Sequence, residues 1–228
     1  MHERVLTVPD PADRANLAMF VGRAVRLDES AVIRLRRRSD GRVSAWATTG
    51  FDALATRVVV GDVRPQDTTA AGDALLRALT DAAAGPEIDP GFAMDSAWRG
   101  ALPPESGFAH VDDVPARVLL GLAQRGAALA REHGSAQGPP TSLLEQKVLE
   151  VEGGGTEVEV SMRTVFALTG MGFVPLADGR PATADTDLDA IDENEIVRVR
   201  ATPSWLRLDA RFGSVYTRRA GAIPLFTR

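Results

Sequence analysis

The chain contains no cysteine. Disulfides, thiolate metal ligands and cysteine nucleophiles are therefore excluded. Its three histidines, His2, His110 and His133, leave little imidazole for metal ligation. No apolar run is long enough to span a bilayer, since the longest mostly apolar stretch, 165–176, is short and broken by glycine. The opening Met1-His2-Glu3-Arg4-Val5-Leu6 lacks the apolar core of a signal peptide. Lysine is nearly absent as well: Lys147 stands alone among arginines. With abundant alanine and glycine, that bias is associated with high-GC bacterial genomes. A cytoplasmic bacterial protein with no membrane anchor and no cofactor or metal is expected.

Familiar catalytic motifs are missing too. The chain has no Gly-x-Ser-x-Gly elbow, Walker loop, His-Glu-x-x-His or dinucleotide fingerprint. Asp185-Thr186-Asp187-Leu188-Asp189 copies the start of an EF-hand loop, but Ala190 and Ile196 fall where Gly and Glu are needed. Gly153-Gly154-Gly155 precedes a strand-like Glu-Val-Glu-Val and not a helix, so it reads as a turn rather than a phosphate cradle. The helix over 161–171 is almost wholly apolar and does not suit a DNA groove.

What is present is ordinary globular composition with unusual charge placement. The 228 residues are 44% hydrophobic and 25% charged, with a net charge of −5. That balance counts against whole-molecule attraction to nucleic acid, although a local basic face can coexist with it. Segment 31–38, Ala-Val-Ile-Arg-Leu-Arg-Arg-Arg, alternates arginine with aliphatic residues, and Glu195-Ile196-Val197-Arg198-Val199-Arg200 does so again. Period-two alternation predicts strands with two unlike faces.

The order of signals predicts an α+β fold with antiparallel sheets and about four helices. Asp10-Pro11 opens a helix that Gly22 would stop. Strands 31–38 and 42–49 flank the turn Asp40-Gly41, and 56–60 follows. A second helix is expected over 70–83, capped by Asp67 or Thr68. Residues 84–113 show no period and hold four prolines, so they read as an extended connector whose Phe92, Met94, Trp98, Leu102 and Phe108 anchor on the core. Asp113 and Pro115 open a helix over 114–133, with Val118, Leu122 and Leu129 as its apolar stripe, and His133 favouring its C-terminal dipole. After a Gly/Pro-rich break at 134–140, a hairpin pairs 148–152 with 157–160. The helix 161–171, an acidic loop 178–195 and a final meander 196–219 complete the chain. Three domain segments follow: lobe 1–83, connector 84–113 and lobe 114–228, the lobes packed as one body. The shared order of helix, glycine, acidic lead-in, Arg-alternating strand and Trp-bearing strand (Trp46, Trp205) suggests an internal duplication.

A two-residue Asp40-Gly41 turn places Arg34, Arg36 and Arg38 above Ala47, Ala45 and Val43, with Ile33, Leu35 and Trp46 on the opposite face. In the second hairpin, Glu152 faces Glu157 and Glu150 faces Glu159. Like charges so placed cost roughly 0.2–1 kcal/mol a pair. Residues 177–195 hold seven acids, and 196–228 hold seven arginines. The ribbons could neutralise one another, the Arg faces meeting Glu150, Glu152, Glu157, Glu159 and the 178–195 loop. Alternatively, Arg34, Arg36, Arg38, Arg198 and Arg200, with Trp98, form a binding surface.

Three functional readings follow. The first is a non-enzymatic binding or assembly module whose partner is another protein or a second copy. The second is a nucleic-acid-binding protein using the Arg-faced strands. The third is a hydrolase or lyase centred on His110, Asp112 and Asp113, the only place where imidazole and carboxylates are neighbours in sequence.

Overall fold

The computed structural model describes residues 4–81, 85–133 and 139–219, with no side chain described for His133. The predicted helix end at 82–83, most of the break at 134–140, the N-terminal leader reading and the role of the His133 side chain lie outside the described residues. The chain forms two compact units: Met1–Gly50 with Leu54–Glu105, and Phe51–Ala53 with Ser106–Arg228.

The first unit contains β1 (Val5–Thr7), α1 (Pro11–Leu27), β2 (Val32–Arg37), β3 (Val43–Thr48), β4 (Leu54–Val59), β5 (Asp62–Arg64), β6 (Asp67–Ala71), α2 (Gly72–Thr80) and β7 (Glu87–Ile88). Asp10 caps α1 as expected, its Oδ1 accepting from the Ala12 amide at 3.0 Å. Four strands run antiparallel in the order β6-β2-β3-β4, and β1 pairs between β5 and β7. Ile33, Leu35, Ala45, Ala47 and Ala55 line one face of the four-stranded sheet and are fully buried. Leu17, Phe20 and Val21 of α1 and Leu75 and Leu79 of α2 are buried with them. Burial of this apolar face dominates the stability of the unit.

The second unit contains β8 (Ala109–Pro115), α3 (Ala116–His133), the one-turn α4 (Thr141–Leu144), β9 (Lys147–Gly153), β10 (Thr156–Ser161), α5 (Met162–Gly170), β11 (Ile196–Ala201), β12 (Trp205–Ala210) and β13 (Gly213–Arg218). Its sheet runs β8-β11-β12-β13, all antiparallel, and β9 and β10 form a separate hairpin. Val197, Val199, Leu206, Leu208 and Val215 fill its buried face. At Gly126, α3 passes so near α5 that an added Cβ would lie 2.6 Å from Met162.

The α+β class, the antiparallel sheets and the paired meanders agree with the sequence reading, and the helices number five among the described residues. The units repeat one arrangement. In each, a three-stranded meander is extended at its first strand by a fourth strand, and that fourth strand runs straight into a helix: β6 into α2, and β8 into α3. The strand–helix element follows the meander in the first unit and precedes it in the second.

Several local expectations are overturned. Gly22 does not end α1; it sits mid-helix, where a Cβ would already touch Leu76 of α2, and the helix runs on to Leu27. Residues 67–71 form a strand and not a helix cap, because Thr68, Thr69 and Ala70 are buried against β2. Segment 84–113 holds β7, a 3₁₀ turn at Asp95–Ala97 and most of β8. Its Phe92 is not anchored but 93% exposed. The helix α3 buries Ala116, Leu119, Leu120 and Ala123, so the stripe of Val118 and Leu129 faces solvent.

The register of the first hairpin also differs. Arg38 donates its amide to Arg42 at 2.8 Å, so the loop is the three residues Ser39-Asp40-Gly41, with Gly41 at φ +78°. Such a loop places its glycine in the left-handed region. Arg34 therefore pairs with Trp46 and Arg36 with Ser44, one residue away from the expected register. A one-residue slip moves every partner to the other face. Trp46 lies on the arginine face, its Nε1 donating to Ser44 Oγ at 3.0 Å.

Candidate binding surface

The strand arginines Arg34, Arg36 and Arg38 are neutralised where they stand. Arg34 grips Asp67 with two hydrogen bonds of 2.7 Å, Nε to Oδ1 and Nη2 to Oδ2, and its guanidinium lies 5.8 Å from the ring centroid of Trp98. Arg36 reaches the same carboxylate at 4.0 Å. Arg38 and Arg42 share Asp40, which holds that carboxyl well below its ordinary range through the hydrogen bond from Arg42. Glu105 accepts from the amide and hydroxyl of Ser39, and its carboxyl is likewise lowered, first by the amide. The structure thus brings Arg34 and Trp98 together and satisfies Arg34, Arg36 and Arg38 with aspartates.

These counter-ions are not the ones expected from sequence. Within the second unit the Glu150, Glu152, Glu157 and Glu159 hairpin meets Lys147, which contacts Glu150 at 3.2 Å and also Glu159. From the 178–195 loop, Glu195 pairs with Arg211 and not with Arg198 or Arg200. The EF-hand-like run is used structurally: Asp187 Oδ1 accepts from the Asp189 amide at 3.0 Å. Among the described residues no group of three or more His, Asp and Glu is placed to hold a metal ion.

On the second unit, alternation along β11, β12 and β13 gathers Arg198, Arg200, Trp205, Arg207, Asp209, Tyr216 and Arg218 on one sheet face. Asp209 is the hub. It accepts from Arg207 Nε at 2.5 Å and from Ser214 Oγ, and lies 3.5 Å from Arg200 Nε. That Arg200 Nε is buried yet makes no hydrogen bond. Arg207 sits 5.5 Å and 5.4 Å from the rings of Phe108 and Tyr216, which meet edge to face. Arg218 stacks 4.5 Å from Trp205. Arg198 is exposed and has no ion-pair partner among the described residues. Four arginines on this face stand with two carboxylates, Asp209, which Arg200 and Arg207 share, and Asp113, which bonds His110, so the face carries cationic surplus interleaved with aromatics.

Sequence reasoning found Arg198 and Arg200 but missed Arg207, Asp209, Tyr216, Phe108 and Arg218. The signal was there: Trp205-Leu206-Arg207-Leu208-Asp209 alternates with period two.

The candidate catalytic group falls on the same sheet. His110 Nε2 lies 2.9 Å from Asp113 Oδ1, and both side chains are largely open to solvent, at 49% and 38% exposure. Asp112 is exposed as well, its Oδ1 accepting from the Asp113 amide. A cleft of about 720 Å³ opens elsewhere in this unit, among β10, α5 and the end of β13, and none of these three residues lines it.

This arrangement of paired meanders and helices is the sliding-clamp fold. Solved structures similar to the chain include the DNA polymerase III subunit beta sliding clamp of Bartonella birtlesii, at 14% identity and TM-score 0.54 over 99% of this chain and 67% of that one. The DNA polymerase sliding clamps of Caulobacter crescentus (15%, TM-score 0.55, 97% and 67%) and Bacillus subtilis (10%, TM-score 0.55, 96% and 64%) are also similar. The chain spans about two thirds of the length of these structures. Residues 103–222 match the family described as domain of unknown function DUF8185, and the chain belongs to it. Residues 1–100 match the domain of unknown function DUF8010. No curated protein matches the sequence. Among the described residues no helix is long and apolar enough to cross a membrane.

Proposed function

We propose that this chain is a non-catalytic binding and assembly module of the cytoplasm, and that its partner-binding surface is the Arg and aromatic face of the second unit. The observation that carries this reading is the excess of arginine over carboxylate on that face, with Arg198 exposed and without an ion-pair partner among the described residues, and Arg218 and Arg207 held against rings. Stacked guanidiniums are pre-organised, so less rotamer entropy is lost when they engage an acidic partner. The likeness to proteins that by their names are polymerase sliding clamps supports an assembly role. Catalysis at His110 is set aside, because His110 and Asp113 form an exposed pair that does not line the cleft of about 720 Å³.

Nucleic acid is the second reading, favoured by the names of those neighbours and opposed by the net charge of −5. The test is capture from bacterial lysate on immobilised wild-type chain and on R198E/R200E, with duplex DNA binding measured in parallel from low to high salt. Retention of one protein by wild type, lost in the variant, is the expected result. Duplex binding that falls steeply with salt would favour the second reading. Equal retention by both chains would remove the Arg face from either.

A further inference from the structure

The hairpin of β9 and β10 leaves one backbone edge without a partner strand among the described strands. Gly153 faces Thr156 across the two-residue turn Gly154-Gly155, with φ of +58° and +75°. In a hairpin so closed, the hydrogen-bonded pairs fall at 153–156, 151–158 and 149–160. Glu157 and Glu159 therefore turn their N–H and C=O groups away from β9. The structure bears this out at Glu157, whose carbonyl accepts from Arg219 Nη2 at 3.0 Å. Among the described strands β10 pairs with β9 alone, so it is an edge strand. The cleft of about 720 Å³ runs along that edge, with Leu206 and Thr217 among the residues that line it.

Unpaired strand edges are templates for an added strand. We propose that the open edge of β10 binds an extended, basic segment of a partner protein as a third strand of this sheet. Side chains directly opposite Glu157 and Glu159 in an added strand share their face. That face is acidic and exposed: Glu150, Glu152, Glu157 and Glu159 stand in two like-charged opposing pairs, with Lys147 the cation beside them. Lysine or arginine at alternate positions of the incoming strand relieves both repulsions. The intervening side chains face the Val158 side, where the cleft is lined by Leu206 and Thr217, and are small or apolar. Of the arginines lining the cleft, Arg163 pairs with Asp52 and Glu145, Arg218 lies against the ring of Trp205, and Arg219 bonds the carbonyls of Thr202 and Glu157, the second of which an added strand takes over. A second copy of this chain is a poor occupant, because its basic alternating strands β2 and β11 are each flanked by strands on both sides.

The proposal does not rest on the Arg face, with which the cleft shares Arg218, and it is tested separately. The probe is a capped eight-residue peptide alternating Lys and Val, carrying a fluorophore, titrated with the full chain by anisotropy. Binding is expected, weakening about tenfold in E157Q/E159Q, as the loss of two exposed charge pairs implies. In wild-type protein, N-methylation of alternate peptide amides should abolish binding without changing charge. Equal binding of the methylated peptide, or tighter binding of an alternating Glu and Val peptide, would overturn the proposal. So would sedimentation showing self-association of the wild type that E157Q/E159Q disrupts, since the edge would then belong to a second copy.

Discussion

Arg34 and Asp67 join adjacent strands through two parallel hydrogen bonds of 2.7 Å, with the guanidinium above Trp98. The side chains are 26% and 40% exposed, so solvent screens the pair. Bidentate geometry and the ring raise it above an ordinary surface pair. Arg34→Ala is expected to cost roughly 1 kcal/mol, and Arg34→Lys to recover little of it, because an ammonium makes neither the fork nor the stack. A double-mutant cycle with Asp67→Asn, read by urea unfolding, checks this. A coupling near zero would make the contact ornamental.

Gly153 packs where no side chain fits. A Cβ there would stand 1.8 Å from the carbonyl oxygen of Val111 on β8, a backbone atom that cannot swing aside. Gly153→Ala should destabilise the second unit by roughly 1–3 kcal/mol, the range of overpacking in a tight site. Gly50→Ala, with nothing within 4 Å of the added carbon, should be close to neutral. Thermal melts of the two variants separate the effects.

The helix α3 gives a sharper comparison between two leucines. Leu120 is fully buried and Leu129 is 42% exposed. Leu120→Ala is expected to cost about 2–5 kcal/mol, and Leu129→Ala less than about 0.5 kcal/mol. Equal costs, measured by denaturant unfolding, would return the buried face to the stripe of Val118 and Leu129.

That stripe shows where the sequence was legible and where it was not. Both α3 faces carry apolar residues, and periodicity alone ranks Val118, Leu122 and Leu129 with Leu119, Leu120 and Ala123. The strands with two unlike faces, 32–37 and 196–201, were readable because charge alternates against Ile, Leu and Val there. The Glu152–Glu157 and Glu150–Glu159 pairs were readable because three glycines mark the turn. The Arg34 partner was not, since Asp67 approaches across β6, a strand whose Thr68, Thr69 and Ala70 resemble a helix cap in sequence. The faces of Trp46 and Arg34 turned on one loop residue, which Asp40-Gly41 does not specify. Counter-ions come from whichever strand is adjacent in space, and adjacency across 33 residues leaves no local trace.

Glu195 supplies the last test. The residue is buried to 6% exposure, and Arg211 bonds it from Nε at 3.0 Å and Nη2 at 2.5 Å. Removing one partner of a buried pair strands the other charge without compensation. Arg211→Ala should therefore destabilise the second unit, by less than the loss of a fully buried partner because Arg211 itself is 66% exposed. Adding Glu195→Gln takes that stranded charge away and keeps the side-chain shape, so R211A/E195Q should be more stable than R211A alone. Equal stabilities of the two variants, measured by denaturant unfolding, would show that water reaches the carboxylate once Arg211 is removed.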